Sequence, residues 1–324
     1  MANTGTMTDV NMNDDHRAHT TIIEQAIIEI VAYMESIEGN AALYEEKNFD
    51  RRVEAIDFLE FQVMDQVEEL WSKTARPDQL TQLKQRAAKI KARLEATDHG
   101  LFQQLRAAIR TMRYTDTAFK SLVATYVDLQ VTGPGDSEDP GYDNLDIFIN
   151  GLSPFQTIPE QTIALEPEMV YYQKTPARII FELIEKYPVR KEDVFFDIGA
   201  GLGQVAILVN LLAGITVKGI EFEPAFCEYA RACAAELHLT DVTFINADAR
   251  YADYVDGTIF FMFTPFRGEI MQEVLGMLRK VALHRQIRIV TYGPCTAQVA
   301  LESWLETAVP RDEGLYQLAV FTSR

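Results

Sequence analysis

The chain has 324 residues, 24% of them charged and 48% hydrophobic, ordinary values for a globular protein long enough to form two domains. Its formal net charge is −18, most of it carried before residue 171. That excess repels phosphate backbones, so it argues against nucleic-acid binding and for a cationic or neutral partner. No apolar run reaches the ~18 residues of a membrane span, and the polar, acidic start is unlike a secretory signal. The three cysteines, Cys227, Cys233 and Cys295, form no Cys-x-x-Cys pair, which points to a reducing, cytoplasmic setting.

Residues 1–15 are polar and expected to be mobile. From His19 onward, Ile22, Ile23, Ala26, Ile27, Ile30, Val31 and Met34 recur at three- and four-residue spacing, which predicts an amphipathic helix ended by Gly39-Asn40. A second helix carries Val53, Ile56, Leu59, Val63, Val67 and Leu70 on one face and acids on the other. Pro77 suits the first turn of a third helix, in which Leu80, Leu83, Ala87, Ile90 and Leu94 form a heptad-like seam beside a basic face. An acidic helix followed by a basic one predicts an antiparallel hairpin, with the basic face complementing its neighbour more readily than an outside partner. Apolar residues from Leu101 through Met112 to Tyr126 predict a further helix or two. The expected organisation is a helical domain over 16–131, through which copies of the chain can associate, then a breaker-rich linker and lid over 132–168.

From residue 169 to 324 the pattern changes to strands alternating with helices. Thr175-Pro176 opens a helix that runs to Lys186. Strands are predicted at Val194–Ile198, Ile215–Glu221, Val242–Ala247, Thr258–Phe263 and Ile287–Tyr292, and the ending, with Trp304, Pro310 and Leu315–Thr322, fits an antiparallel strand pair. The fold class is α/β, a doubly wound, mainly parallel Rossmann-like sheet with an antiparallel last strand, preceded by the all-α domain.

The stretch Val194–Glu221 is the most informative. A short strand ends in Asp197, a turn follows with Gly199, Gly201 and Gly203, then an apolar helix and a second strand ending in Glu221. Glycines permit positive φ and let a ligand approach bare backbone. An acid about 20 residues beyond such a turn meets ribose hydroxyls in folds that bind adenosine-containing ligands at the carboxyl ends of their strands. Gln204 stands where a dinucleotide fingerprint requires its third glycine, which weakens a nicotinamide-dependent oxidoreductase.

The string DIGAGLGQV, followed by KGIEFEPAFCEYA, resembles motif I of the class I S-adenosylmethionine (SAM)-dependent methyltransferases. It is most similar to the non-SET histone-lysine methyltransferases of the telomeric-silencing family and their bacterial relatives, over roughly residues 171–292. The resemblance implies SAM as cofactor. Asp197 then suits the amino group and positive charge of SAM, and Gly199 to Gly203 approach it. Gln204 matches the glutamine after the last glycine in those relatives. Glu221 accepts from both ribose hydroxyls, Phe222 flanks the adenine, and Asp248, followed by Ala249, accepts from the adenine amino group. Tyr171, Tyr172 and Thr175 resemble the segment that closes over the methionine end.

Thr264 departs from the family pattern. Amine methyltransferases carry Asn/Asp-Pro-Pro-aromatic there and the histone-lysine relatives an Asn-rich variant, whereas this chain reads Phe263-Thr264-Pro265-Phe266. Thr264 can accept through its hydroxyl or offer only its carbonyl. Tyr292 faces the same edge, and Tyr171, Tyr172 and Tyr292 are the candidate general bases; Arg250 and Arg267 read as solvated. The five histidines are scattered, without metal-ligand spacing. The expected function is methyl transfer from SAM to an N or O nucleophile of an unidentified small molecule or protein side chain. The alternative is a SAM-binding scaffold without turnover.

Overall fold

The structure is a computed structural model that describes residues 8–71, 77–111, 117–130, 140–155, 157–307 and 314–324, with only helical backbone described for 8–22 and 77. The extreme start (1–7), Arg76, Met112, residues 132–139 of the linker and Pro310 therefore lie outside the described residues. Two compact units form, one up to Phe102 and one from Gln103 onward.

The first unit is helical. Helix α1 (Thr8–Gly39) ends at the predicted glycine and begins upstream of His19. The second amphipathic helix is divided into α2 (Phe49–Asp57), a π-helical stretch (Phe58–Met64) and α3 (Asp65–Trp71). Leu59, Val63 and Val67 explain the wider turns. They are spaced by four, all fully buried, and in a regular α-helix such a row drifts by ~40° per step. Helix α4 (Pro77–Thr111) buries Leu80, Leu83, Ala87, Ile90 and Leu94 against the α1 stripe Ile23, Ile27, Ile30 and Met34. Ion pairs Lys84–Glu68 and Lys91–Glu60 run in opposite senses along the chain, the pattern of an antiparallel hairpin. Arg52 is fully buried; its guanidinium donates to Asp98 (2.7 Å) and to the carbonyls of Leu43 (2.8 Å) and Glu45 (2.9 Å).

The second unit is built on a seven-stranded sheet: β1 (Val194–Ile198), β2 (Thr216–Glu221), β3 (Val242–Asn246), β4 (Ile259–Met262), β5 (Arg288–Thr291), β6 (Leu305–Thr307) and β7 (Ala319–Ser323). Their order across the sheet is β3-β2-β1-β4-β5-β7-β6. The first five are parallel, and β7 is antiparallel to both β5 and β6. Strand order reverses beside β1, so the connections leaving the neighbouring strands β1 and β4 run to opposite faces and open a crevice at their carboxyl ends.

The connecting helices are α5 (Ala118–Val123), α6 (Asn144–Leu152), α7 (Ala177–Lys186), α8 (Gln204–Ala213), α9 (Pro224–Glu236), α10 (Gly268–Ala282) and α11 (Cys295–Val299). Asp143 and Asp146 form a capping box on α6, and Asp146 also accepts from the Ala177 N–H (2.8 Å), tying α6 to the start of α7. Residues 117–130 pack with the sheet: Lys120 pairs with Glu185, and Arg178 donates to the Leu129 carbonyl (3.0 Å).

Gly203 sets how tightly α8 meets the sheet. Its φ is +83°, and a Cβ there would lie 2.5 Å from Phe244 Cζ of β3 and 2.7 Å from Ala230 Cβ of α9. Gly203→Ala combines left-handed strain with overpacking, each costing ~1–3 kcal/mol. It is expected to lower the denaturant midpoint of the sheet unit with an unchanged m-value. A midpoint equal to that of the parent would show that neither constraint holds.

Candidate functional site

At the carboxyl edge the glycine turn closes on β2. The N–H groups of Gly199 and Ala200 both donate to the Ile220 carbonyl (2.9 Å each). Glu221, at the end of β2, folds back over the turn. One carboxylate oxygen accepts from the Gly201 N–H (2.6 Å) and the other from the Glu223 N–H (2.8 Å). Gly199 (φ +80°) and Gly201 (φ +52°) have no room for a side chain: a Cβ would meet Pro265 Cβ at 2.4 Å and the Tyr172 ring at 2.2 Å. Glycine at 199 and 201 is therefore required both by backbone conformation and by close approach.

Asp197 is the penultimate residue of β1, beside this turn. It is buried, and its Oδ2 has no hydrogen-bond partner among the described residues. Such a group carries the full cost of desolvation unless something neutralises it. Burial, with the Glu221 carboxylate adding to it, pushes the Asp197 carboxyl up to about 7. Burial also raises Glu221, against the pull of its backbone N–H donors. Two buried acids beside a bare-backbone turn present carboxylate oxygens that can accept a cation or hydroxyl donors.

The cleft beside them is lined by Tyr171, Tyr172, Gly199, Gly201, Glu221, Phe222, Asp248, Ala249 and Thr264, so the structure gathers nine of the residues singled out by sequence around one space. A smaller chamber at its end joins Asp197, Gln204, Thr175 and Tyr172. Tyr172 faces both spaces. Its ring lies over Gly201 and packs edge-on against Phe226 (5.5 Å, 61°). Burial, then the Asp197 charge, raises its hydroxyl well above the usual phenol range, so it stays protonated, against the expectation of a general base. Tyr171 is only a rim residue, 78% exposed.

Asp248 differs from the sequence expectation in its surroundings. Both its oxygens are taken by Arg250, at 3.0 and 3.1 Å from Nε and 2.6 Å from Nη2, and Arg250 reaches on to Glu166 (2.6 Å). Arg250 is thus a clamp between the β3 exit and the 157–168 segment rather than a solvated side chain. Glu223 makes a second tie: its carboxylate accepts from the N–H groups of Thr162 and Ile163 (2.8 Å each). Glu168 makes a third, accepting from the Ile270 N–H (2.9 Å). These three acid contacts hold the proline-containing segment along the cleft.

Thr264 has φ +40°, an outlier for a β-branched residue. Its Oγ1 accepts from the Cys295 N–H (3.2 Å), so the hydroxyl is used to hold the turn after β5. Tyr292 is buried and donates to the Pro140 carbonyl (2.8 Å). Its ring forms a cluster with Phe263 (5.4 Å) and Tyr316 (5.8 Å). Sequence reasoning missed Tyr316, Phe226 and Pro265. Tyr316 lies in the terminal strand region, and the other two touch the site only through packing that no spacing rule exposes. Among the described residues, no group of three or more His, Cys, Asp or Glu is placed to hold a metal, and no helix is long and apolar enough to cross a membrane.

Residues 167–248 match the family model described as Histone methylation protein DOT1. No curated protein matches the chain. Solved structures similar to it include an RNA methyltransferase from Salinibacter ruber in complex with S-adenosyl-L-homocysteine (23% identity, 47% of this chain and 92% of that one, TM-score 0.37). Others are the precorrin-6y C5,15-methyltransferase of Geobacter metallireducens (16%, 48% and 92%, TM-score 0.35) and the ribosomal protein L11 methylase of Lactobacillus delbrueckii subsp. bulgaricus (16%, 53% and 90%, TM-score 0.37). The match over 167–248 spans β1, the glycine turn, β2 and β3. With the sheet order, it relates the chain to the class I SAM-dependent methyltransferases and, within them, to the DOT1 family.

The Asp197 carboxyl makes a signed prediction. Its folded-state pKa is raised, so its contribution to stability is fully present below about pH 4 and is lost as pH rises through about 7. Across that window the ligand-free sheet unit should lose about 1.4 kcal/mol per pH unit from this group. Asp197→Asn should flatten that slope in denaturant titrations at a series of pH values. Parallel curves for variant and parent would rule out a raised Asp197.

Proposed function

We propose that this relative of the DOT1 family transfers a methyl group from SAM to an N or O nucleophile of a small molecule or a protein side chain. The observation that carries the reading is the unpartnered, buried Asp197 oxygen beside a glycine turn bridged by Glu221. SAM brings to such a site a cationic sulfonium, an ammonium group and two ribose hydroxyls. A cation near Asp197 offsets its desolvation, and Glu221 is shaped to take hydroxyl donors. Asp197, Gly199, Gly201, Gln204, Glu221 and Phe222 would hold the cofactor, with Asp248 and Ala249 at the base end, Tyr171 at the rim and Tyr172 and Thr175 at the methionine end.

When bound, the cofactor supplies an electrophilic methyl group. The chain's own task is to position the acceptor and exclude water, which accounts for large accelerations without a covalent intermediate. Tyr172, protonated, donates a hydrogen bond that orients the methionine end or the acceptor. Thr264 spends its hydroxyl on Cys295, so its strained backbone presents a carbonyl as the remaining acceptor group. Tyr292, expected from sequence to face the site, instead lies behind Phe263 with its hydroxyl on the Pro140 carbonyl, and so backs the cleft without lining it. Where Asp248 remains clamped by Arg250, the adenine end is read by shape and backbone more than by that carboxylate. The linker segment 157–168 acts as a tethered lid, held by Glu223, Arg250 and Glu168.

The test couples binding to turnover. Calorimetry should show one SAM site per chain, and Glu221→Gln should weaken it roughly tenfold to a hundredfold, the worth of a charge-assisted hydrogen bond at ~1.5–3 kcal/mol. Labelled methyl groups from SAM should then appear in one member of a panel of metabolites and lysine-containing peptides. Absence of SAM binding by the folded protein would refute the reading. SAM binding without product in either panel would favour the scaffold alternative.

A further inference from the structure

A second cavity, of about 240 Å³, lies between α6, α8 and α9 and is closed by the turn that follows α6. It has room for roughly eight waters at ~30 Å³ each, far more than the small voids of a close-packed interior. Its wall is mostly apolar, built by Ile149, Leu152, Phe155, Ile207, Leu208 and Leu211. Phe155 and Ile158, at 41% and 50% exposure, form a rim through which a ligand can enter.

One charge faces this apolar space. Lys174 is half-buried, and its ammonium donates to the neutral side-chain oxygen of Asn150 (2.8 Å). Among the described residues, no carboxylate lies within ion-pair distance of it, in a chain with 48 acidic and 30 basic residues. Burial pulls its pKa below the ordinary lysine value, and the more distant Asp146 carboxylate offsets this only in part. One of its three protons serves Asn150, leaving two donors for an anion. Ser153 and the Tyr229 hydroxyl (2.8 Å apart) add a polar pair on the same wall.

We propose that this cavity binds a small amphiphile with an apolar body and one carboxylate, the carboxylate on Lys174 and the body along α8 and α9. The acid completes the desolvated lysine, and the apolar body displaces water from a wall that offers it few partners. Tyr172 and Gln204 line both this cavity and the chamber beside Asp197. An occupant therefore touches the same two side chains as a ligand at the carboxyl edge. The proposal does not rest on methyl transfer.

The probes are octanoate and octanol, titrated calorimetrically into the full chain. Saturable octanoate binding is expected, tighter than that of octanol by about tenfold or more. Lys174→Met should remove that preference, leaving octanol affinity within roughly twofold, because only the charged contact is lost. Ile207→Trp, which fills the cavity from a half-buried position, should abolish binding of both probes. Thermal melting and SAM binding on the same samples report folding and the carboxyl-edge site separately. No saturable octanoate binding by the parent protein would overturn the proposal. So would equal affinity for the two probes, or an octanoate affinity unchanged in Lys174→Met.

Discussion

Two buried carboxylates on adjacent parallel strands impose the constraint around which the sheet unit is built. Asp197, one residue before the end of β1, pairs with Gly219 in the strand register, and Glu221 ends β2 two residues farther on. A low-dielectric edge with two acids is costly in an isolated protein. The chain compensates one of them internally: Glu221 receives the Gly201 and Glu223 N–H groups. The other is left open. The glycine turn, the α8 start and the β2 exit all follow from bringing backbone donors to Glu221 while keeping the space beside Asp197 free of side chains.

That half of the site was legible in the sequence, because its demands are local. Positive φ at three alternate positions needs glycine, a strand end needs an acid, and the second acid returns after one helix and one strand. The sheet was legible for the same reason, since its strands are short apolar runs punctuated by turns. What sequence could not show is long-range pairing. Arg250 was indistinguishable from a solvated arginine until Asp248 and Glu166, 84 residues apart from it in the latter case, were brought to its guanidinium. The π-helical stretch was hidden because a four-residue apolar spacing reads equally well as an ordinary helix. Nothing local marks Lys174 as a lysine whose ammonium meets an amide oxygen and no ion-pair partner among the described residues.

The acceptor side is organised by a different force. Thr264 sits at positive φ, a conformation costing ~1–3 kcal/mol that persists only where surroundings over-determine it. Those surroundings are identifiable: Pro265 packs on Gly199, the Val170 N–H donates to the Pro265 carbonyl (3.1 Å), Met169 pairs with Phe266, and Cys295 holds the Thr264 hydroxyl. The strained exit of β4 thus connects the glycine turn, the segment before α7 and the turn after β5. Aromatic rings of Phe263, Tyr292 and Tyr316 back it.

Asp197 is held partly protonated until a cationic ligand arrives. Proton release on SAM binding measures this directly, by calorimetry at pH 7 in two buffers of different ionisation enthalpy. With the carboxyl poised at about 7, binding should release about half a proton per chain, and Asp197→Asn should release none. SAM binding whose heat is the same in both buffers, or a proton release that persists in Asp197→Asn, would contradict the account.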